Sequence, residues 1–418
     1  MSKTLMIKAM VLGAVACAFS ATGFAADVQN GHGQGIADPT TEVNGAKHEA
    51  VRSNWMDRTD IVVGVGMKDS KETHSQHHYV GESSMRHDDL HTVTSKNSKS
   101  TEINKLYIET LQPITHYDEN AKSVVFVQGR IGRSGEKISS YKLDGYLEPA
   151  RPAGTFITHD KQTDTKESLG MNANIGIGYR RLSKGEHAYV GVNAFYDHVF
   201  KGGYKRVSGG VEYVAGLNEF HANLYRNLGT DDRKYIGLHG RSVVMGDPAG
   251  LYPYGLDPDQ SLYNYGIAAY ENHWMLSEKV AASGFDVGYS RTFKNARWAR
   301  VYADYYNWRG RDAVKVGYYK LNKRDAIKGF KVGAEFHITP HLTLDAGYKT
   351  ASHHLSGPYA TLKYTIGTSK FAWRGGKHSE SVITTARSKM LDKVHRSDMV
   401  VQETVENIYE QQFVDVGL

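Results

Sequence analysis

The sequence predicts an all-β protein, an antiparallel transmembrane β-barrel of about 12 strands. Three observations predict it: an N-terminal export signal, a series of roughly ten-residue segments that alternate apolar and polar residues, and connections sorted into short and long. Composition agrees. The 418 residues include 43 Gly and 27 Tyr but only 13 Phe and 9 Pro, which suits strands that meet an interface where tyrosine rings settle. A mean hydropathy of −0.50 with 23% charged residues excludes a bundle of membrane helices, and 40% hydrophobic residues exclude a disordered chain. The net charge of +6, without a dense basic patch, gives no reason to expect nucleic acid as a partner.

Residues 1–25 read as a secretory signal. Lys3 and Lys8 form the basic start, Met10 to Phe19 the apolar stretch, and Gly23-Phe24-Ala25 a small-residue site with cleavage after Ala25. Cys17 lies inside this leader and is the chain's 1 cysteine, so the exported protein is expected to have neither disulfide nor thiol chemistry. Residues 26–58 are short and polar, as in Gly31-His32-Gly33-Gln34-Gly35, and are expected to stay periplasmic.

Residues 59–367 carry the barrel signal. Strands are expected near 59–67, 103–112, 122–131, 170–181, 187–198, 204–214, 218–228, 283–293, 297–307, 329–338, 341–350 and 357–367. Val190, Val192, Ala194 and Tyr196, for example, alternate with Gly191, Asn193, Phe195 and Asp197. Phe330, Val332, Ala334 and Phe336 alternate with Lys331, Gly333 and Glu335. A soluble sandwich also alternates, but its strands average five or six residues, whereas about ten tilted residues cross a bilayer. The polar face is rich in glycine and in charges of both signs, as a closed lumen requires. Arg180, Asp197, Arg206, Glu212, Arg300, Asp304, Lys331, Glu335, Asp345 and Lys349 are therefore expected to line the pore. Every second connection is short (113–121, 182–186, 215–217, 294–296, 339–340), while 68–102, 132–169, 229–282 and 308–328 are long. With an even strand count, that sorting puts the long loops outside and the short turns in the periplasm. The turn 199–203 is a short external exception, and Tyr263 to Tyr270 has room for a further strand pair.

An ordered set of segments resembles a known family. It comprises Asn174-Ile175-Gly176-Ile177-Gly178-Tyr179-Arg180, the run from His187 to His198, Arg206 to Tyr213, Ser283 to Val287, Val301 to Tyr306, and Thr339 to Tyr348. Together these resemble the β-domain of the intimin/invasin family, the inverse autotransporters, over about 120–367. The resemblance implies a twelve-stranded barrel whose C-terminal linker re-enters the pore and carries a segment to the cell surface. It further implies a Gram-negative outer-membrane location, contact with outer-membrane lipid and lipopolysaccharide, and insertion by the barrel-assembly machinery with periplasmic chaperones. A role in adhesion, with a ligand on a host or neighbouring cell, is also implied. Two departures stand out: Ig-like repeats do not follow the barrel in this sequence, and no LysM-type module precedes it.

The remaining segment, 368–418, is expected to be a linker helix and a short tail. Ser379 can cap a helix over 379–395, with Val382, Ile383, Ala386, Met390 and Val394 as a stripe and Arg387, Lys389, Asp392 and Lys393 opposite. About 17 residues at 1.5 Å would reach roughly 25 Å, enough to traverse the pore, although an ordinary periplasmic amphipathic helix would read the same way. His74-Ser75-Gln76-His77-His78, His87 to His91 and His353-His354 could bind a metal, but as loop segments without a scaffold they read as solvated. No nucleophile elbow, phosphate loop or zinc-protease motif occurs, so neither enzyme activity nor cofactor is expected. Two functions follow: a surface anchor that exports a C-terminal segment, or a porin-like channel whose tail stays periplasmic.

Overall fold

The computed structural model describes residues 40–43, 46–49, 54–80, 87–118, 121–150, 155–229, 232–245, 266–310, 312–316, 319–321, 323–352, 356–367, 372–374, 382–383 and 386–416. The leader with Ala25, the pair His353-His354 and the side chains of His77, His78, His87 and His91 lie outside them. Besides short strands of two to four residues, the strands in chain order are β1 (Thr59–Val80), β2 (His87–Pro113), β3 (Ser123–Arg133), β4 (Glu136–Ala150), β5 (Thr155–Ser168), β6 (Met171–Leu182), β7 (Ala188–Val199), β8 (Lys205–Ala215) and β9 (Asn218–Asn227). They continue as β10 (Asp232–Met245), β11 (Gly266–Ala281), β12 (Gly284–Phe293), β13 (Ala296–Trp308), β14 (Ile327–His337), β15 (Leu342–Lys349), β16 (Gly357–Thr365) and β17 (Val400–Val416). The wall consists of β1–β3, β6–β9 and β12–β16, each antiparallel to its neighbours. β16 closes the ring against β1, with Thr365 opposite Asp60 and Ala360 opposite Val65. These twelve wall strands fall on the segments that the alternation marks.

The alternation becomes an inside and an outside. Ile61, Val63, Ile177, Val190, Val192, Val211, Leu224, Val287, Phe330, Val332 and Leu362 are large apolar side chains left exposed on the outer face. A belt this continuous is far more than a water-soluble surface carries, and it matches a lipid-facing band. The inner face buries Arg180, Asp197, Arg206, Glu212 and Asn223. Its glycines make room for rings. A Cβ on Gly178 would stand 2.2 Å from Phe126 Cζ, and one on Gly176 would stand 2.2 Å from Phe195 Cδ1.

At one rim the turns are short; at the other, three of the long connections are themselves strands. β1 and β2 run on beyond the wall as a hairpin, and β5 joins outer β1 with Lys166 opposite Asp69. β4 pairs with β5, and β17 lies parallel to β4 with Val400 opposite Glu136. β11 flanks the other side of β17, with Val401 opposite Ala281, and β10 is outermost. The stretches 68–102, 132–169 and 229–282, expected as loops, therefore hold one external sheet, and β11 covers part of the segment marked for an extra strand pair. Their pattern hides this, because both faces are polar. Residues 94–100 read Thr-Ser-Lys-Asn-Ser-Lys-Ser, with no apolar alternation to detect.

The C-terminal linker does not form the expected helix over 379–395. Within the described part, Val382–Ile383 pairs with Lys47 and His48, Ala386–Lys389 makes a single 3-10 turn, and residues 393–399 are irregular extended chain leading into β17. The reason is in the backbone partners. The Arg180 guanidinium donates to the carbonyls of Met390 at 2.8 Å and Asp392 at 2.6 Å, and Asn223 donates to the carbonyl of His395 at 3.0 Å. Arg206 donates to the carbonyls of Ser397 at 3.0 Å and Asp398 at 3.3 Å. The wall supplies the bonds that a helix would make internally, and an extended chain can accept them along its whole length.

Candidate functional site

The lumen is the site, and the segment 386–399 runs through it from the short-turn rim to the long-loop rim. At the short-turn rim the tight turn 183–187 holds Glu186 at φ 58°, and Arg387 grips that carboxylate with bonds of 3.0 and 2.5 Å. Arg387 also donates to the carbonyls of Asp118 and Ala121, at 3.3 and 2.6 Å, while Tyr117 donates to the carbonyl of Arg387 at 3.0 Å. Above this clasp lies an apolar plug. Ala386, Met390, Leu391 and Val394 of the linker pack on Leu111, Val124, Phe126, Leu182, Tyr189, Phe195 and Val214 of the wall, all buried.

Through the middle, linker cations meet wall carboxylates one after another. Lys389 bonds Glu219 at 2.7 Å, and Lys393 bonds Asp60, which also accepts from Thr365. Arg396 forks onto Asp197 at 2.8 and 2.5 Å while its guanidinium covers the Phe195 ring at 4.4 Å. Near the long-loop rim the sign reverses. The linker's Asp398 sits 2.7 Å from Arg130 and 3.3 Å from Lys105. Two backbone amides are also met: Val394 donates to Gln128 at 2.9 Å, and Ser397 to Tyr225 at 2.8 Å and Asp286 at 3.0 Å. Charges this deeply buried are tolerable only when each is paired and bonded, which is the condition observed.

The ten residues expected to line the pore are all on the inner face, but they divide by role. Arg180, Asp197 and Arg206 hold the linker directly. Glu212 instead braces Arg180, at 2.6 and 3.0 Å. Arg300 donates to His395 at 2.8 Å and pairs with Glu219 and with Glu335, while Asp304 lies 3.7 Å from His221. Lys331 sits between the rings of Tyr302 and Tyr359 at 4.8 and 5.1 Å, Asp345 accepts from Tyr302 at 2.5 Å, and Lys349 pairs with Glu136 at 2.6 Å. Arg300, Asp304, Lys331, Glu335, Asp345 and Lys349 also border a cavity of about 250 Å³ beside the linker. The linker cations Arg387, Lys389 and Lys393 pair with Glu186, Glu219 and Asp60, and not with Asp197, Glu212, Asp304 or Glu335, the carboxylates that the alternation places in the lumen beside them.

The profile of the inverse autotransporter β-domain matches residues 155–398. The chain belongs to the inverse autotransporters. That match ends on Asp398, the last lumen ion-pair residue of this inverse autotransporter, one residue before Met399 hands over to β17. Among solved structures, one described under in-meso crystallization of membrane proteins is 13% identical, covers 81% of this chain and 99% of its own, and has a TM-score of 0.44. The β-domain of the Bordetella autotransporter BrkA is 9% identical, with coverage of 72% and 99% and a TM-score of 0.20. OmpF of Salmonella typhi in complex with daunomycin is 10% identical, with coverage of 78% and 98% and a TM-score of 0.22. No curated protein matches the chain.

For this inverse autotransporter, sequence reasoning passed over Asp60, Lys105, Gln128, Arg130, Glu219 and Asn223 as linker contacts. A signal was available for two of them. Gln128 and Arg130 alternate with Val127, Gly129 and Ile131 on β3, the same period that marked Asp197 on β7. Among the described residues no group of three or more metal-ligating side chains comes together; His74 instead bonds His159 at 2.9 Å within the external sheet.

Proposed function

We propose that this inverse autotransporter anchors in the Gram-negative outer membrane, passes its own C-terminal segment through its lumen and displays that segment at the cell surface in support of adhesion. One observation carries the reading: the segment 386–399 is matched to the wall, charge for charge and carbonyl for donor, from the short-turn rim to the long-loop rim. A tail resting in the periplasm would have no use for that complementarity. The short-turn rim is then periplasmic, reached after export by the N-terminal signal, and the external sheet faces the medium. No catalytic step or cofactor is part of this function. The barrel-assembly machinery, periplasmic chaperones and a host or neighbouring-cell ligand are the partners it calls for.

The test is where the tail lies. An epitope tag after Leu418 should be labelled by antibody on intact cells. Deleting residues 371–418 should raise single-channel conductance in planar bilayers, because it empties the lumen. A tag that is visible only after the outer membrane is permeabilised, together with unchanged conductance, would favour a porin-like channel with a periplasmic tail.

A further inference from the structure

Four basic side chains stand on the outward face where the wall meets the long-loop rim. Arg226 on β9 follows Leu224, which is 69% exposed on the lipid-facing belt. Arg226 is opposite Val207, and the amide of Leu228 donates to the carbonyl of Lys205 at 3.1 Å, so Lys205 stands one row above Arg226 on β8. Beyond β12, the Arg309 amide donates to the carbonyl of Ser283 at 2.7 Å, and Asn307 is opposite Lys328 on β14. Leu224, Phe285, Asn307 and Lys328 form one row across four strands, and Arg226 and Arg309 extend the next row outward. With neighbouring strands near 4.8 Å apart, Arg226 and Arg309 are about 10 Å from each other across β12. Lys205 and Lys328 flank them.

These four pair with no carboxylate among the described residues, whereas Arg180, Arg206, Arg300 and Arg396 in the lumen each hold one. Directly beneath the arc the outward face is hydrocarbon: Leu224 and Phe330, with Phe285 between them. A row of unpaired cations at the edge of a lipid-facing belt lies at headgroup height, where arginine forks match phosphate oxygens.

We propose that Lys205, Arg226, Arg309 and Lys328 form a docking arc for the phosphorylated headgroup of an anionic lipid, which in the outer leaflet is the phosphorylated glucosamine of lipopolysaccharide. The assignment of leaflet rests on the long-loop rim facing outward; the chemistry of the arc does not. The arc orients the barrel in the leaflet by charge, while the apolar belt sets its depth.

Native mass spectrometry of the full chain released from detergent, incubated with bis-phosphorylated lipid A or with the same lipid dephosphorylated, reads the arc directly. The wild type should retain the phosphorylated lipid in preference to the dephosphorylated one. The combined variant K205Q/R226Q/R309Q/K328Q should lose that retention by roughly tenfold or more, given the contribution of each basic residue at an anionic surface. A control variant at the other rim, K122Q/R181Q/K184Q/K294Q, should retain the lipid as the wild type does. Equal retention of both lipids, no loss in the arc variant, or an equal loss in the control each overturns the arc. The surface label on a tagged arc variant separates this from the export reading. An arc variant that keeps the lipid while its tail is labelled overturns the arc alone, and one that loses the lipid while its tail stays unlabelled, as in the tagged wild type, overturns export alone.

Discussion

Asp197 is the residue on which two guanidinium groups depend, Arg206 from the wall and Arg396 from the linker, at 2.9 and 2.5 Å. Each arginine also lies over an aromatic ring, Arg206 on Tyr225 at 4.3 Å and Arg396 on Phe195 at 4.4 Å. Replacing Asp197 by Asn keeps the shape and removes the charge. Breaking a buried pair in this way costs about 3–5 kcal/mol, because the remaining charge stays buried. The D197N variant should therefore convert from its compact to its unfolded electrophoretic form at a clearly lower temperature than the wild type. D345N, whose amide oxygen can still accept from the Tyr302 hydroxyl, should shift less; equal shifts would show that the Asp197 pairs contribute nothing special. Sequence alone placed Asp197 inside the barrel, because it alternates with Tyr196 and His198, but period two says nothing of which strand stands across a lumen. That is why the sequence matches neither Arg396 to Asp197 nor Lys389 to Glu219.

At the scale of the element, the external sheet exists because β17 fills the gap between β4 and β11. Glu403 on β17 is the polar fastening, 2.6 Å from Lys137 on one side and bonded to Lys279 on the other. Partial burial alone would raise its pKa, but the bonds and charges of the two lysines outweigh that and hold it below the ordinary glutamate value. With the folded pKa depressed, its stabilisation is complete above the unfolded value of about 4.3 and is lost as pH falls through the lower folded value. Protease cutting within 136–168 and 232–281 should accordingly rise as pH drops below about 4, and E403Q should show that susceptibility already at neutral pH. Identical pH profiles for the two proteins would remove Glu403 from the account. Little of this sheet was legible. Alternation of polar with polar carries no facing signal, and the part of the helical stripe on Ala386, Met390 and Val394 equally describes a chain whose apolar residues meet a ring of wall side chains.

The whole molecule is a bilayer-spanning wall around a filled pore, and the positions of its twelve wall strands were the part most legible, since lipid outside and charge inside give the strongest alternation a chain can have. The belt makes a direct claim. Val192 and Val332 are 49% and 47% exposed on the outer face, so V192R or V332R should cost roughly 2–4 kcal/mol where the site lies near the bilayer midplane. Folded yield in vesicles of defined lipid should fall accordingly, whereas N193Q, facing inward between the same neighbours, should be milder. Comparable losses at both faces would invert the assignment of inside and outside.

The course of the chain from the lumen into β17 also decides how the molecule bears force. β17 leaves the pore parallel to β4 and antiparallel to β11, so a pull on its far end acts along the strand while its ladder bonds lie across it. Those bonds are loaded in shear, many at once, and cannot be peeled one at a time. Behind them the forks of Arg180 and Arg206 grip the backbone, and Arg396 and Arg387 tether the chain from within. Tension on that far end is thus passed from the shear-loaded sheet strand by strand into a closed ring embedded in the membrane.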